Sequence, residues 1–192
     1  MSDLNNRLNK ILDRVTSEEF LSGRGLGNEI PFYAFDYPPE DELAVREHVI
    51  FLMKQILKKR SDLRIKHVNL FELILSHLKD RNLYDKAIQH QKTKGDAALL
   101  KILKAPLDAT KIARVFIKDA EPDQHDMVFV TGVGSAYPML RTHSLLNNLH
   151  TFMGSTPLVL FYPAVFAGTR NDWRVNREDL FDFYGDDPVV IS

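Results

Sequence analysis

Two short stretches of the chain are apolar without interruption, and they restrict its fold more than any other feature. Val128-Phe129-Val130 and Leu158-Val159-Leu160-Phe161 offer no polar side chain to water on either side. A strand has two faces, so a strand of this composition must be covered on both, as happens inside a parallel sheet with helices packed above and below. The remaining sequence supplies the helices. Leu4, Leu8, Ile11, Leu12 and Val15 recur at helical spacing between charged residues, which predicts an amphipathic helix over residues 3–15 that docks on its own domain or on a partner.

Further along, Ser17 before Glu18, Glu19 and Phe20 has the form of a helix start, and the glycines from Gly23 to Gly27 break regular structure. Ile30 to Asp36 is rich in aromatic and β-branched residues and reads as a strand stopped by Tyr37-Pro38-Pro39. Glu40, Asp41 and Glu42 then open a helix whose apolar positions are Leu43, Val45, Val49, Phe51, Leu52, Ile56 and Leu57. It closes on Lys58-Lys59-Arg60, so its charges match the helix dipole at both ends. Ile65 to Leu70 is a short strand feeding a helix with Leu70, Leu73, Ile74 and Leu78 on its apolar face. Residues 80–104 hold one or two helices with a break at Gly95. Pro106 ends them, and Ile112 to Ile117 suits either a helix or a strand. Ala164 to Arg177 has loop character, and Phe181 to Ser192 forms a tail.

Strands alternating with helices predict an α/β fold: a single-domain three-layer sandwich with a mainly parallel sheet, helices on both faces and right-handed crossovers. The whole chain, 1–192, is read as one domain, with an N-terminal helix in 1–16, a core over 17–168 and a variable tail over 169–192.

Composition narrows the function classes. Lysine plus arginine number 25 and aspartate plus glutamate 26, so no overall field draws the chain to nucleic acid or to an anionic membrane. Cysteine is absent, which removes disulfides, thiolate nucleophiles and cysteine metal sites. A reducing cytoplasm is the simplest location. The first residues form no apolar signal core, and no run approaches the roughly 20 residues of a membrane helix.

The segment Asp126 to Leu149 passes from strand through a glycine turn into a polar helix, the arrangement at which open parallel sheets hold ligands and partners. Thr131-Gly-Val-Gly-Ser-Ala-Tyr137 has two glycines of the dinucleotide fingerprint but Tyr137 where the third belongs. Gly25-Leu-Gly-Asn-Glu-Ile30 fails in the same way, and neither has the Lys-Ser or Lys-Thr of a P-loop. Tight turns are the simpler reading. The alternative is a degenerate nucleotide site in which Gly132, Gly134 and Ser135 present amides and a hydroxyl to phosphate. A hydrolase triad of Ser135, His143 and Asp126 lacks the G-x-S-x-G elbow. The seven histidines are scattered without metal-ligand spacing; His143 and His150, with Asp126 or Asp36, form only a weak set. No metal, cofactor or catalytic residue is therefore assigned. Phe32, Tyr33, Phe35 and Tyr37 lack the interleaved basic residues of a single-strand binder and are read as core, Phe32 on one face and Tyr33 with Phe35 on the other. Partner-contact candidates are Arg24 and Asn28 among the first glycines, and Tyr137, Arg141, His143, Asn147 and Asn148 at the second, because two adjacent asparagines in a helix are more polar than solubility requires.

Phe20 to Leu43 and Val128 to Leu149, with Pro157 to Pro163, resemble the BrxB family of BREX bacteriophage-exclusion systems, and the similarity runs from about Phe20 to Gly168. The resemblance implies an accessory component without established catalysis, needed for defence and host DNA methylation. It would work beside PglZ, an alkaline-phosphatase-like protein, the BrxC ATPase and the PglX methyltransferase. It is similar to an adaptor that binds PglZ, not to an enzyme, and it brings no catalytic residue to this chain. Near Ala164 and Ala167 the sequence departs from the family pattern of Gly and Asp, and the tail after Gly168 matches poorly.

Overall fold

The computed structural model of the protein describes residues 3–22 and 31–163. Among these residues the chain forms eight α-helices and four strands: α1 (Asp3–Val15), α2 (Glu18–Leu21), β1 (Phe32–Tyr37), α3 (Glu42–Lys59), β2 (Ile65–Asn69), α4 (Leu70–Asp80), α5 (Tyr84–Leu103), α6 (Ala109–Ala120), β3 (Met127–Thr131), α7 (Val133–Ala136), α8 (Thr142–Met153) and β4 (Leu158–Pro163). The strands lie in the order β1-β4-β3-β2, and every pair is parallel. The two apolar stretches thus occupy the two central strands, where pairing on both edges and packing on both faces leave no position for a polar side chain.

Pleating sorts the strand residues into two cores. Val68, Val128, Val130, Leu158 and Leu160 point to one face and pack under α4, α6, α7 and α8, where Ile74, Ile112, Leu145 and Leu149, with Phe116, complete a mainly aliphatic layer. Tyr33, Phe35, Met127, Phe129, Val159 and Phe161 point to the other and pack under α1, α2 and α3. That second layer is aromatic: Phe129 meets Phe161 edge-on at 5.6 Å, Phe161 meets Phe35 at 5.9 Å, and Tyr33 meets Phe20 at 4.5 Å. Rings at such offsets add attraction to the area they bury. The expected split of Phe32 from Tyr33 and Phe35 holds, with Phe32 packed against the aliphatic layer.

Local signals set the boundaries. Ser17 caps α2, its side chain accepting from the Phe20 N–H, and Asn69 caps α4 by accepting from the N–H groups of Phe71 and Glu72. Gly95 takes a left-handed φ of 80° and kinks α5, the break expected there. Ile112 to Ile117 is helical, because Asp108 caps α6 at Thr110 and Ile112, Ala113 and Phe116 then fall on one buried side. The N-terminal helix docks on its own domain: Leu8, Ile11 and Val15 are buried in the aromatic layer, and buried Arg7 pairs with buried Asp36. No helix among the described residues is long and apolar enough to cross a membrane.

The reading of α3 needs correction. Val45, Val49, Leu52 and Ile56 are buried as expected, but Leu43, Phe51 and Leu57 are exposed, as is Ile50. One helix face can meet the sheet. Residues at 43, 50 and 57 lie a heptad apart on a second stripe, rotated away from the one that packs.

Phe129 contacts helix layer and neighbouring strand at once with no exposed surface. Phe129→Ala should lower unfolding stability by about 3–5 kcal/mol in urea titration. A loss under about 1 kcal/mol would contradict its place in a close-packed layer.

Candidate functional site

The helices leave the sheet in opposite directions, and this opens a crevice at its carboxyl edge. After β1 the chain passes to the aromatic side through α3, and after β3 it passes to the aliphatic side through α7 and α8. Between them, at the end of β4, lies a cleft of about 600 Å³ lined by residues that include Pro39, Gly134, Tyr137, Arg141, His143 and Pro163. This is where open α/β sheets bind ligands, outside the carboxyl ends of strands at a switch in connection direction.

Of the residues selected from the sequence, the cleft gathers Gly134, Tyr137, Arg141 and His143. Tyr137 is 67% exposed and precedes a cis peptide to Pro138. Arg141 is the exposed N-cap residue of α8, and His143, half-buried in the first turn, sits with Nε2 3.1 Å from Ser144 Oγ. Asn148 faces elsewhere, donating to the Ser144 carbonyl and accepting from Thr110 Oγ1 of α6, so its polarity serves a helix-to-helix contact. Asn147 is half-buried one position earlier, and its carbonyl lies 2.6 Å from His150 Nδ1. Arg24 and Asn28 fall outside the described residues, as do the segments from Ala164 onward. Sequence reading missed Thr142, Tyr162 and the prolines of the rim, Pro39 and Pro163. Residue order carried no signal for Thr142, because Arg141 is not a capping residue type and the start of α8 is set by the fold.

The two glycines have steric reasons. Gly132 adopts φ 71°, and a Cβ there would meet Asn69 Oδ1 at 2.1 Å, the same oxygen that caps α4. A Cβ on Gly134 would meet Pro163 Cγ at 2.6 Å. The uncovered backbone therefore lets β2, β3 and β4 converge at their carboxyl ends, and its bare faces are filled by the protein's own atoms.

Ser135 stands at the end of a chain of polar contacts. The buried Tyr37 hydroxyl donates to Glu42 Oε2, Arg46 Nε donates to Glu42 Oε1 at 2.9 Å, and Arg46 also reaches Ser135 Oγ at 3.4 Å. Burial, then the Glu42 carboxylate, pushes the Tyr37 hydroxyl above the usual tyrosine range. The imagined triad is not assembled. Asp126 precedes β3, where it accepts from the Arg64 N–H at 2.8 Å, whereas Ser135 lies beyond the other end of that strand. His67, on edge strand β2, contacts buried Thr131 Oγ1 at 2.8 Å, and burial lowers its pKa despite the opposing charge of Glu72. His48 on α3 is lowered by burial too, against a backbone hydrogen bond at Leu8.

A protein-family model described as BREX protein BrxB matches residues 66–175. A relative of that name from Bacillus cereus (strain H3081.97) is 37% identical over 172 residues, covering 88% of this chain and 88% of the relative. Another, from Escherichia coli O9:H4 (strain HS), is 38% identical over 162 residues, covering 84% of this chain and 80% of its own. No solved structure matches the chain.

Two outcomes follow from this geometry. Gly132→Ala should cost about 2–4 kcal/mol, combining left-handed strain with displacement of the Asn69 cap. In an Asn69→Ala background the same substitution should cost only about 1 kcal/mol of left-handed strain, and an unchanged loss would refute the Asn69 contact. Burial holds the pKa of His48 and of His67 below the 6.5 of free histidine. The unfolded chain then binds more protons, so stability is full above that value and falls as pH drops through it. A His48→Gln, His67→Gln variant should show a shallower decline of melting temperature between about pH 7.5 and 5.5, and an unchanged slope would contradict the assignment.

Proposed function

The chain belongs to the BrxB family, and from that premise we propose that it is a non-catalytic adaptor of a BREX phage-defence system whose direct partner is PglZ. The observation that carries the reading is the outer face of α3, where Leu43, Ile50, Phe51 and Leu57 are 72%, 53%, 53% and 45% exposed. Isolated surface leucines are ordinary, but four large apolar side chains on one helix form the kind of patch that marks a protein-binding face. The patch continues toward the cleft. Arg46 ties α3 to Ser135, Pro39 forms part of the rim, and Tyr137 stands exposed beyond it. In this reading BrxC and PglX are engaged through the PglZ complex, and the adaptor is needed for both defence and host DNA methylation.

Two further points favour an adaptor over the nucleotide reading of Gly132, Gly134 and Ser135. The faces of the glycines that would approach phosphate are filled by Asn69 and Pro163, and Ser135 is engaged by Arg46. Both points support binding by surface.

The test is co-purification of the full chain with PglZ, comparing the natural sequence with a Leu43→Asp, Ile50→Asp variant. Two central apolar anchors of an interface are worth roughly 2 kcal/mol or more each, so affinity should fall by about 1,000-fold. Ile102→Asp, at an exposed apolar position on α5, serves as control and should bind normally. Retained PglZ binding by a folded double variant would overturn the α3 assignment, and absence of any association with or without BrxC would overturn the adaptor reading.

A further inference from the structure

We infer that the outer surface of α5 and α6 binds the phosphate backbone of a duplex nucleic acid without reading its sequence, a function that goes beyond the PglZ reading and does not rest on it. The near balance of charge over the whole chain conceals a local imbalance. From Lys79 to Lys118 stand ten lysines and arginines against four aspartates and no glutamate, and all ten cations are exposed. Part of this surface is one row. Lys111, Arg114 and Lys118 fall on a single stripe of α6, opposite the buried Ile112, Ala113 and Phe116. Lys111 Nζ donates to the Ala105 carbonyl at 2.8 Å, which brings the row to the end of α5, where Lys104 and, one turn earlier, Lys101 are exposed.

A second observation separates this surface from an ordinary solvated face. Eight ion pairs occur among the described residues, and none uses a cation of this segment. The nearby acids are engaged or displaced: Asp96 accepts from Gln91 at 2.8 Å, Asp108 caps α6 at Thr110, and Lys66 holds Asp119 at 3.3 Å. Asp80 and Asp85 flank the turn from α4 to α5, and Glu121 lies past the end of α6. Like charges three or four apart on a helix oppose its formation, so the row carries a repulsion that a polyanion would relieve.

Side-chain chemistry selects the class of polyanion. Four of the five residues in the row are lysines, point charges that hold phosphates without the planar fork that reads base edges or carboxylates. Tyr84 is half-buried beneath Lys79 and Phe116 is fully buried, so α5 and α6 offer no exposed ring on which the bases of a single strand could stack. Ile102 is the one large apolar side chain exposed on these two helices, too little apolar surface to enter a membrane. From Lys111 to Lys118 the row rises about 10 Å, while a duplex carries one charge per about 1.7 Å of its axis, so several phosphates can face it together. α5 and α6 pack on the aliphatic face of the sheet and α3 on the aromatic face, so a duplex held here leaves the α3 patch free.

The experiment is fluorescence anisotropy of the full chain with labelled DNA and RNA duplexes of about 25 base pairs in two unrelated sequences, at about 50 to 200 mM salt. The two sequences should bind alike, the stronger duplex type identifying the source of the backbone, and log K should fall against log salt with a slope of about −3 to −5. A Lys104→Ala, Arg114→Ala, Lys118→Ala variant should bind at least about tenfold more weakly, with the slope flattened by about 2–3. Lys10→Ala, Lys54→Ala, Lys58→Ala, the same loss of charge from exposed positions on α1 and α3, should bind as the natural chain does. The inference is overturned if neither duplex binds saturably at about 50 mM salt, if the two variants lose binding equally, or if polyglutamate or phosphatidylserine vesicles bind as well as a duplex. PglZ co-purification should be unaffected by the first variant and duplex binding unaffected by Leu43→Asp, Ile50→Asp, so the two readings fail separately.

Discussion

The central strands β3 and β4 have no wet side, and the rest of the molecule is arranged around keeping them dry. Five consecutive residues of β3 are buried, and the first four of β4 are as well. Neither strand can lie at an edge, so β1 and β2 take the edges and the helices divide between two faces. Each buried strand residue then joins an aliphatic or an aromatic layer according to its parity. At roughly 25 cal/mol per Å² of apolar surface removed from water, layers of this kind supply the dominant favourable term in folding. That division also makes the cleft, because α3 and α8 leave the carboxyl edge toward opposite sides.

At that edge, packing and recognition compete for the same backbone. Gly132 and Gly134 look in isolation like parts of a phosphate loop, but their missing Cβ atoms are needed to bring Asn69 and Pro163 into contact. The groups left to face outward are Tyr137, Arg141 and the uncapped first turn of α8. Membership of the BrxB family places the protein that carries this edge in a phage-defence setting.

Much of this was legible from residue order. Val128 to Val130 and Leu158 to Phe161 gave away the parallel sheet, because uninterrupted apolar strands admit few other solutions. Gly95 and Ser17 marked a kink and a cap by local chemistry alone. The errors lay where tertiary geometry chooses between equal local options. Leu43, Phe51 and Leu57 are as apolar as Val45 and Ile56, and only the placement of α3 against the sheet decides which stripe is covered. Asn148 looked like a surface contact because its partner, Thr110, lies 38 residues away.

The central claim is that recognition occurs on the outer face of α3 and the adjoining carboxyl edge. Hydrogen–deuterium exchange of the full chain with and without PglZ tests it directly. Added protection should concentrate in α3 and in the stretch from Val133 to Leu145, with α5 unchanged. Protection confined to α5, or exchange identical in both states while the two proteins remain associated, would contradict the account.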